Sequence, residues 1–534
     1  MCNYQILIIY KNMVLRILIS LSYIFLLLMD LNIFQLEEYS LKKMFCWCKT
    51  NFKECLGFVI INIFLKIIFL ILNQVLSKMI YLYIVLNFTY FLVLFFVKFR
   101  KSKTPLKFTN RVIRHIAIFI ICSYIYLFML EKLNIKLGIY FYLIDFILIF
   151  LLSVGITNFI EYLIYCKYKK QAKKKLASMK DLTIIGITGS YGKTSVKNIL
   201  TSILSTEFSV CATPKSFNTP NGIIKTIRND LNDNHKIFIC ELGANKPNDI
   251  KVLTDILGDK LKLGIITAVG EQHLDGFKTI DAIYKTKYQL AEAVKKNNGT
   301  MFFNLENEYV KKMFDNYLDK KYGAKLNDKN KKINVLSCNL NSVNYNGSNF
   351  DLEFCNKKYK QLKTKLLGEH NVVNCMLSAL VSLTLGVSEI DLRIGLNNIE
   401  KIPHRLEQKR LENGAILLDN GFNSNPFSAR QSLKTLSLFS GYKIVITPGF
   451  VELGDRQYEE NFILGKEISK VANELWIVNN INKNAIINGV RFNNKNDIMI
   501  KEYDNFSKDI VININKYDKN TVVLIENDLP SNYK

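Results

Sequence analysis

Between residues 182 and 204 the chain changes its period in a way that few folds accommodate. Leu182-Thr183-Ile184-Ile185-Gly186-Ile187-Thr188 reads as a buried strand. Gly189-Ser190-Tyr191-Gly192 reads as a turn, and Lys193-Thr194-Ser195 opens a helix that runs to about Leu204. A strand, a glycine turn and a helix in that order meet the needs of a bound triphosphate. Backbone N–H groups and the helix N-terminus face the phosphates, Lys193 supplies a cation, and a hydroxyl reaches Mg²⁺. The spacing is G-x-x-G-K-[TS]; the longer Walker form wants glycine where Ile187 stands. A chance Gly-Lys-Thr turn is the competing reading, and the flanking strand and helix argue against it.

From residue 181 onward short β-rich runs alternate with helical patterns, which predicts an α/β domain with a mainly parallel sheet. A second strand over 236–240 ends at Glu241, and a carboxylate at a strand's C-terminal end beside a phosphate loop is placed to bind Mg²⁺ directly or through water. Taken alone, Glu241 reads as a surface glutamate. A third strand over 263–267 leads into Gly270-Glu271-Gln272-His273-Leu274-Asp275-Gly276-Phe277. A helix over about 279–294 follows, with an apolar stripe at Ile280, Ile283, Leu290, Ala291 and Val294. Lys287 lies on that stripe, four residues after Ile283, and periodicity alone leaves open a snorkelling lysine or a functional one. Farther on, strands over 415–419, 443–447 and 475–478 and helices after Pro426 and over about 458–472 predict a second, Rossmann-like sheet domain. No G-x-G-x-x-G accompanies it, so a dinucleotide is not indicated.

The first third reads differently. Apolar runs over 14–29, 56–73, 79–97, 112–130 and 138–159 are each close to the ~20 residues that cross a bilayer, which predicts about five transmembrane helices. The net charge of +25 is concentrated here, in clusters that punctuate the apolar runs. That placement argues for a membrane surface and against nucleic acid as a partner. By the positive-inside rule the run Lys167, Lys169, Lys170, Lys173, Lys174 and Lys175 puts everything after it in the cytoplasm. The expectation is an integral protein of the cell membrane with membrane lipid as a partner and cytoplasmic catalytic domains. Eleven cysteines without paired spacing fit reduced thiols. The expected order is a helical membrane bundle (1–165), a basic linker (166–180), a P-loop ATP-binding α/β domain (181–402) and a C-terminal Rossmann-like α/β domain (403–534).

Several separated signatures together resemble the Mur ligase family, and within it the type that adds D-alanyl-D-alanine. They are Thr188-Gly-Ser-Tyr-Gly-Lys-Thr-Ser195, Thr213-Pro-Lys-Ser-Phe-Asn-Thr-Pro-Asn-Gly222, Glu241-Leu-Gly243, His273-Leu-Asp-Gly-Phe277 with Lys285-Thr-Lys287, Gly368-Glu-His-Asn-Val-Val-Asn374, His404-Arg405 and Asp419-Asn-Gly-Phe-Asn-Ser-Asn-Pro426. The resemblance covers about residue 182 to the C-terminus. It implies an ATP-dependent ligase in which a carboxylate attacks the γ-phosphate and an amine converts the acyl phosphate to an amide. It further implies that Gly189 to Ser195 cradle ATP with Lys193 on the phosphates. Thr194 and Glu241 bind one Mg²⁺, His273 a second, and Lys287 faces the metals as a carbamate. Asn371 and Asn374 contact adenine, Asn218 and Thr219 lie on a substrate loop, and Arg405 reaches back to ATP when the domains close. The implied partners are a cell-wall peptide precursor and an amino acid or dipeptide.

Departures from the family pattern bear on the substrates. Asn420 stands where a second acidic residue is expected at the ATP ribose, a place in which it can still hydrogen-bond. Glu526-Asn-Asp-Leu-Pro-Ser-Asn-Tyr533 stands where the D-alanyl-D-alanine-adding type usually has Lys-Gly-Ser-Arg, and the N-terminal uridine-nucleotide domain is replaced by the apolar third. Ligation onto a lipid-linked precursor or a poly-γ-glutamyl polymer, and a nucleotide-binding scaffold without catalysis, are the competing readings. Retention of Lys193, Thr194, Glu241, His273 and Lys287 argues against the scaffold.

Overall fold

The computed structural model describes residues 27–28, 31–36, 39–50, 106–132, 142–271, 274–328, 332–421, 424–492, 498–506 and 508–528. The chain divides into two compact units, Met1–Cys166 with Pro530–Lys534, and Lys167–Leu529.

In the first unit the described helices are α1 (Leu41–Thr50), α2 (Asn110–Lys132) and the start of α3 (Tyr142–Ser178). Val112, Phe119, Ile149, Phe150 and Val154 form part of a buried cluster, but a polar seam runs beside it. His115 Nδ1 lies 3.1 Å from Thr157 Oγ1, Arg111 donates to Asn158 at 2.9 Å, and Arg114 pairs with Glu161. The expected five-helix membrane bundle is therefore corrected. Among the described residues one helix, Ile147–Ser178, is long and apolar enough to cross a membrane. The physical reason is phase. A run judged by mean apolarity hides Arg111, Arg114 and His115, which recur at helical spacing and share one face. The expected spans 56–73 and 79–97 lie outside the described residues, as does 14–29 apart from residues 27–28. The stretch expected as a basic linker is helical as far as Ser178, in keeping with its Lys, Ala, Gln and Leu content and its lack of Gly and Pro. It is fastened to the second unit's own fold: Lys175 Nζ donates to the Arg228 carbonyl at 3.1 Å, and the Arg228 guanidinium lies 3.7 Å over the Tyr168 ring.

The second unit is built on two sheets. The first has the order β2-β3-β1-β4-β5-β6-β7-β8-β9, from β1 (Thr183–Thr188), β2 (Val210–Ala212), β3 (Ile237–Glu241), β4 (Leu261–Ile266), β5 (Thr300–Asn304), β6 (Lys321–Leu326), β7 (Val335–Asn344), β8 (Gly347–Phe354) and β9 (Lys357–Thr364). Strands β1 to β7 pair in parallel, and β8 and β9 extend the edge as an antiparallel meander. The near-continuous Ile and Phe content of β1 and β3 is what a strand covered on both faces requires. Helices α4 (Lys193–Leu204), α5 (Pro220–Asn229), α6 (Asp249–Leu257), α7 (Ile280–Lys296) and α8 (Glu369–Thr384) supply the cover. Ile199, Leu200 and Ile203 of α4 share one apolar cluster with Val372, Cys375, Met376 and Ala379 of α8.

The second sheet has the order β10-β11-β15-β12-β13-β14, from β10 (Glu407–Arg410), β11 (Ile416–Asn420), β12 (Tyr442–Thr447), β13 (Glu474–Val478), β14 (Met499–Tyr503) and β15 (Thr521–Glu526). All pairs are parallel except β10 with β11. Helices α9 (Pro426–Leu436) and α10 (Gln457–Ile468) pack on one face. The ends of β1 and β3 matter most for function. The chain leaves β1 toward β2 on one side and reaches β4 on the other, and such a reversal of strand order opens a crevice at the strands' carboxyl ends.

Candidate active site

At that crevice the turn after β1 delivers its residues as the sequence pattern predicts. Gly192 sits at φ +83°, in the left-handed region that glycine enters at least cost, and a Cβ there would press on Asn374 Oδ1 at 3.0 Å. A Cβ on Gly189 would collide with Thr267, so space requires Gly189 and conformation favours Gly192. The Ser190 N–H donates to the Ala268 carbonyl and its hydroxyl to the Gly270 carbonyl at 2.9 Å, which pins the loop to the end of β4. Tyr191 is held by Asn307, whose Nδ2 donates to the phenol oxygen at 3.2 Å. Its ring stacks on Phe427 of α9 with centroids 4.4 Å apart. Ser195 is buried in the first turn of α4.

Lys193 is half-buried and donates to the Gly189 and Ser190 carbonyls at 2.6 and 3.4 Å. Burial lowers its pKa, Glu241 opposes the shift, and Arg405 adds to it. The Thr194 hydroxyl donates to Glu241 Oε2 at 3.0 Å, and Asn218 Nδ2 donates to Oε1 at 3.2 Å. Thr219 caps α5 through the Gly222 N–H. The structure thus gathers Lys193, Thr194, Asn218, Thr219, Glu241 and Arg405 around one cleft of about 530 Å³, with Asn425 at its far wall. His273 lies outside the described residues.

Lys287 is 3 % exposed, and no carboxylate pairs with it among the described residues. Burial holds its pKa well below the ordinary lysine value, and the Lys193 charge lowers it further. An amine so placed favours its neutral form. Asn371 and Asn374 are buried at the start of α8; Asn371 donates to the Leu367 carbonyl at 2.9 Å and Asn374 to Asn371 Oδ1 at 3.2 Å. Asn420 stands apart from the cleft. Its Nδ2 is committed to Glu526, at 2.9 Å from Oε2, across the β11–β15 pairing that sets the two residues side by side.

The donor set fits the groups implied by the loop. Thr194 and Glu241 offer hard oxygens at hydrogen-bonding distance from each other, the ligand type Mg²⁺ takes. Lys193, Lys246 and Arg405 line the cleft against Glu241 and Asp249, an excess of cation that suits a polyphosphate.

Comparison with known proteins agrees with this geometry. The Mur ligase middle domain family matches residues 187–382. The UDP-N-acetylmuramoyl-tripeptide–D-alanyl-D-alanine ligase of Buchnera aphidicola subsp. Baizongia pistaciae is 30% identical over 59% of this chain and 68% of its own length. The chain belongs to the Mur ligase family. Two solved Mur ligases share its fold. MurF from Acinetobacter baumannii has a TM-score of 0.59 at 20% identity, over 69% of this chain and 78% of that one. MurF from Thermotoga maritima in complex with ADP has 0.57 at 24%, over 68% and 80%. As a Mur ligase the protein is an ATP-dependent enzyme that joins a carboxylate to an amine. The expected integral-membrane localisation is overturned. The aligned relatives are named for a nucleotide-linked substrate, and one helix among the described residues could span a bilayer. A lipid partner has no support.

One residue of this Mur ligase escaped the sequence reading. Lys197, 2 % exposed on α4, donates to the Thr213 carbonyl at 2.8 Å and to the Lys215 carbonyl. Its Nζ lies 3.4 Å from Glu241 Oε2. Its signal was the one that marked Lys287, a lysine in phase with apolar residues of a helix, here Leu200 and Leu204 three and seven residues on.

Proposed function

We propose that this Mur ligase joins D-alanyl-D-alanine to UDP-N-acetylmuramoyl-tripeptide in the synthesis of peptidoglycan precursors. The observation that carries the reading is the juxtaposition of Thr194, Glu241 and Asn218 with a cation-rich cleft beneath a glycine turn. The P-loop domain over 181–402 holds ATP, and the domain over 403–534 presents the dipeptide.

The substrate carboxylate oxygen attacks the γ-phosphorus, the bond to the β-phosphate oxygen breaks, and ADP leaves. The amine nitrogen then attacks the acyl carbon, phosphate departs, and the nitrogen sheds a proton. Little covalent work falls to the protein, which positions groups and offsets charge. Lys193 and the N–H groups of Gly189 to Ser195 bear on the phosphates. Asn371 and Asn374 border adenine. Asn218 and Thr219 guide the acyl substrate, and Arg405 closes on the transferred phosphoryl group. Thr194 and Glu241 hold one Mg²⁺ and His273 a second; bound there, the metal offsets phosphate charge. Lys287 meets the same region as a carbamate, for which a neutral amine is the precursor.

The test is direct. Full-length protein with ATP, Mg²⁺, UDP-N-acetylmuramoyl-tripeptide and D-alanyl-D-alanine should give the pentapeptide nucleotide with one ADP and one phosphate per amide, read by mass. Product with single amino acids but none with the dipeptide would overturn the assignment.

A further inference from the structure

Lys197 is a cation in the interior whose contacts join three separate pieces of chain. It rises from α4 one turn after Lys193. Its ammonium reaches the Thr213 carbonyl at 2.8 Å and the Lys215 carbonyl, and lies 3.4 Å from Glu241 Oε2. Thr213 and Lys215 begin the loop that carries Asn218 and Thr219 into the cleft. Other contacts hold that loop to the same strand end. The Thr213 N–H donates to the Ile239 carbonyl at 3.0 Å, the Glu241 N–H to Thr213 Oγ1 at 3.2 Å, and the Gly243 N–H to the Asn218 carbonyl at 2.9 Å.

Two features mark the lysine as more than a core staple. Lys215 has φ +49°, the left-handed region that a residue with a Cβ enters at a cost, and its carbonyl is one that Lys197 holds. In addition, Glu241 Oε2 receives both Thr194 and Lys197 while Oε1 receives Asn218. One carboxylate therefore gathers the P-loop helix, the substrate loop and the buried ammonium. A leucine or methionine would fill the space. Only a cation can hold two carbonyls and face the carboxylate together.

We propose that Lys197 is a positioning residue for ligation: it locks the 213–222 loop into its substrate-guiding shape and ties that shape to Glu241. The substrate half of this statement rests on the ligase reading above, and the loop half does not. Removal of the ammonium frees Lys215 to leave its strained conformation, and Asn218 and Thr219 then lose their fixed approach to the cleft. Phosphate binding at Gly189 to Lys193 uses other atoms and persists.

Lys197→Met in the full-length protein tests both halves. Amide hydrogen exchange over 213–222, measured without any substrate, should quicken at least tenfold while exchange in β1 and β4 is unchanged. ADP affinity in Mg²⁺ should stay within about threefold, and KM for the nucleotide-linked peptide should rise about tenfold or more. Because glycine takes φ +49° freely, adding Lys215→Gly should return part of the lost exchange protection and of the KM; Lys215→Gly alone guards against a fold lost in the first variant and should leave the loop protected. Unchanged exchange over 213–222 in Lys197→Met, or a loss of ADP affinity matching the loss for the peptide, overturns the proposal. Loop loosening without turnover in any variant, wild type included, would sink the ligase reading and spare the lock.

Discussion

The two sheets of the second unit handle buried charge in opposite ways. Around the second sheet every interior charge is answered from within. Glu526 is wholly buried yet accepts from Asn420, Ser424 and Ser432; Glu460 is met by Arg430 and Arg456; Glu474 is met by Lys501 and Tyr517. Around the first sheet Lys197 is answered by Glu241, but two other amines are left open. Lys287 is buried with no anion beside it among the described residues, and Lys193 turns to the carbonyls of its own loop. A buried amine without an anion costs several kcal/mol, either as an uncompensated charge or as the proton it must give up. A fold tolerates that only where something else supplies the missing charge, and a polyanionic substrate does so. The closed network is architecture, and the open one is a binding site.

The largest expected effect comes from breaking the open side. Lys193→Ala should lower kcat about a thousandfold, the scale of removing a charge-stabilising donor from a transfer site, with the melting temperature unchanged within a few degrees. Wild-type turnover by that variant would remove the central assignment. Lys287→Met should fall about a hundredfold in rate and, in CO₂-free buffer, be more stable than wild type by roughly 1–4 kcal/mol, because a buried amine that must give up its proton and its hydration on folding is replaced by an apolar chain of similar length. The pH dependence of that gap has a definite sign. The folded-state pKa of Lys287 is depressed, so between it and the unfolded value near 10.5 the unfolded chain binds more protons. Wild-type stability then rises with pH and the gap narrows toward alkaline pH. Denaturant titrations at several pH values would show it; a gap that widens with pH would refute the assignment of a buried, partnerless amine.

The closed side should respond in stability and hardly at all in nucleotide affinity. Glu526→Gln keeps the shape but turns an acceptor toward three donors into a group that also donates, at a cost of about 1–3 kcal/mol. A lower melting temperature with ADP affinity held within twofold is the expected pair of results. Loss of ADP binding with no loss of stability would move Glu526 to the open side.

How far the sequence disclosed this contrast depended on range. The glycine turn, the helix at Lys193 and the strand ending at Glu241 were legible because each is a local pattern, and Lys287 stood out by its phase on an apolar stripe. Lys197 carried the same signal one turn beyond the motif, yet its partners Thr213, Lys215 and Glu241 are distant in sequence, and only the fold brings them together. The departures at Asn420 and Glu526 were visible singly. Their pairing was not, because it comes from the parallel register of β11 and β15. The antiparallel meander of β7 to β9 also went unread, since its exposed Lys and Asn positions dilute the alternation that would have marked it. In the described part of the apolar first third, mean hydropathy concealed the polar seam of Arg111 and His115 with Asn158 and Thr157.

The smallest expected effect lies where the two regions touch. Tyr191, inside the phosphate loop, stacks face to face with Phe427 at the start of α9, and Glu271 pairs with Arg456 across the same boundary. The ion pair is partly exposed on both sides and should contribute little. An aromatic stack is worth about 0.5–1.5 kcal/mol beyond area, and with Phe427 41 % exposed the lower end applies, about a twofold effect. Phe427→Ala should therefore leave ADP affinity alone, since Tyr191 keeps its hydrogen bond from Asn307. It should raise KM for the amine two- to threefold, because the N-cap of α9 is Asn425, which lines the cleft. Phe427→Tyr should behave as wild type. An equal change in the constants for ADP and amine would mean that the stack shapes the phosphate loop itself, and the division between an open, ligand-completed region and a closed, self-satisfied one would then have to be redrawn with Tyr191 on both sides of it.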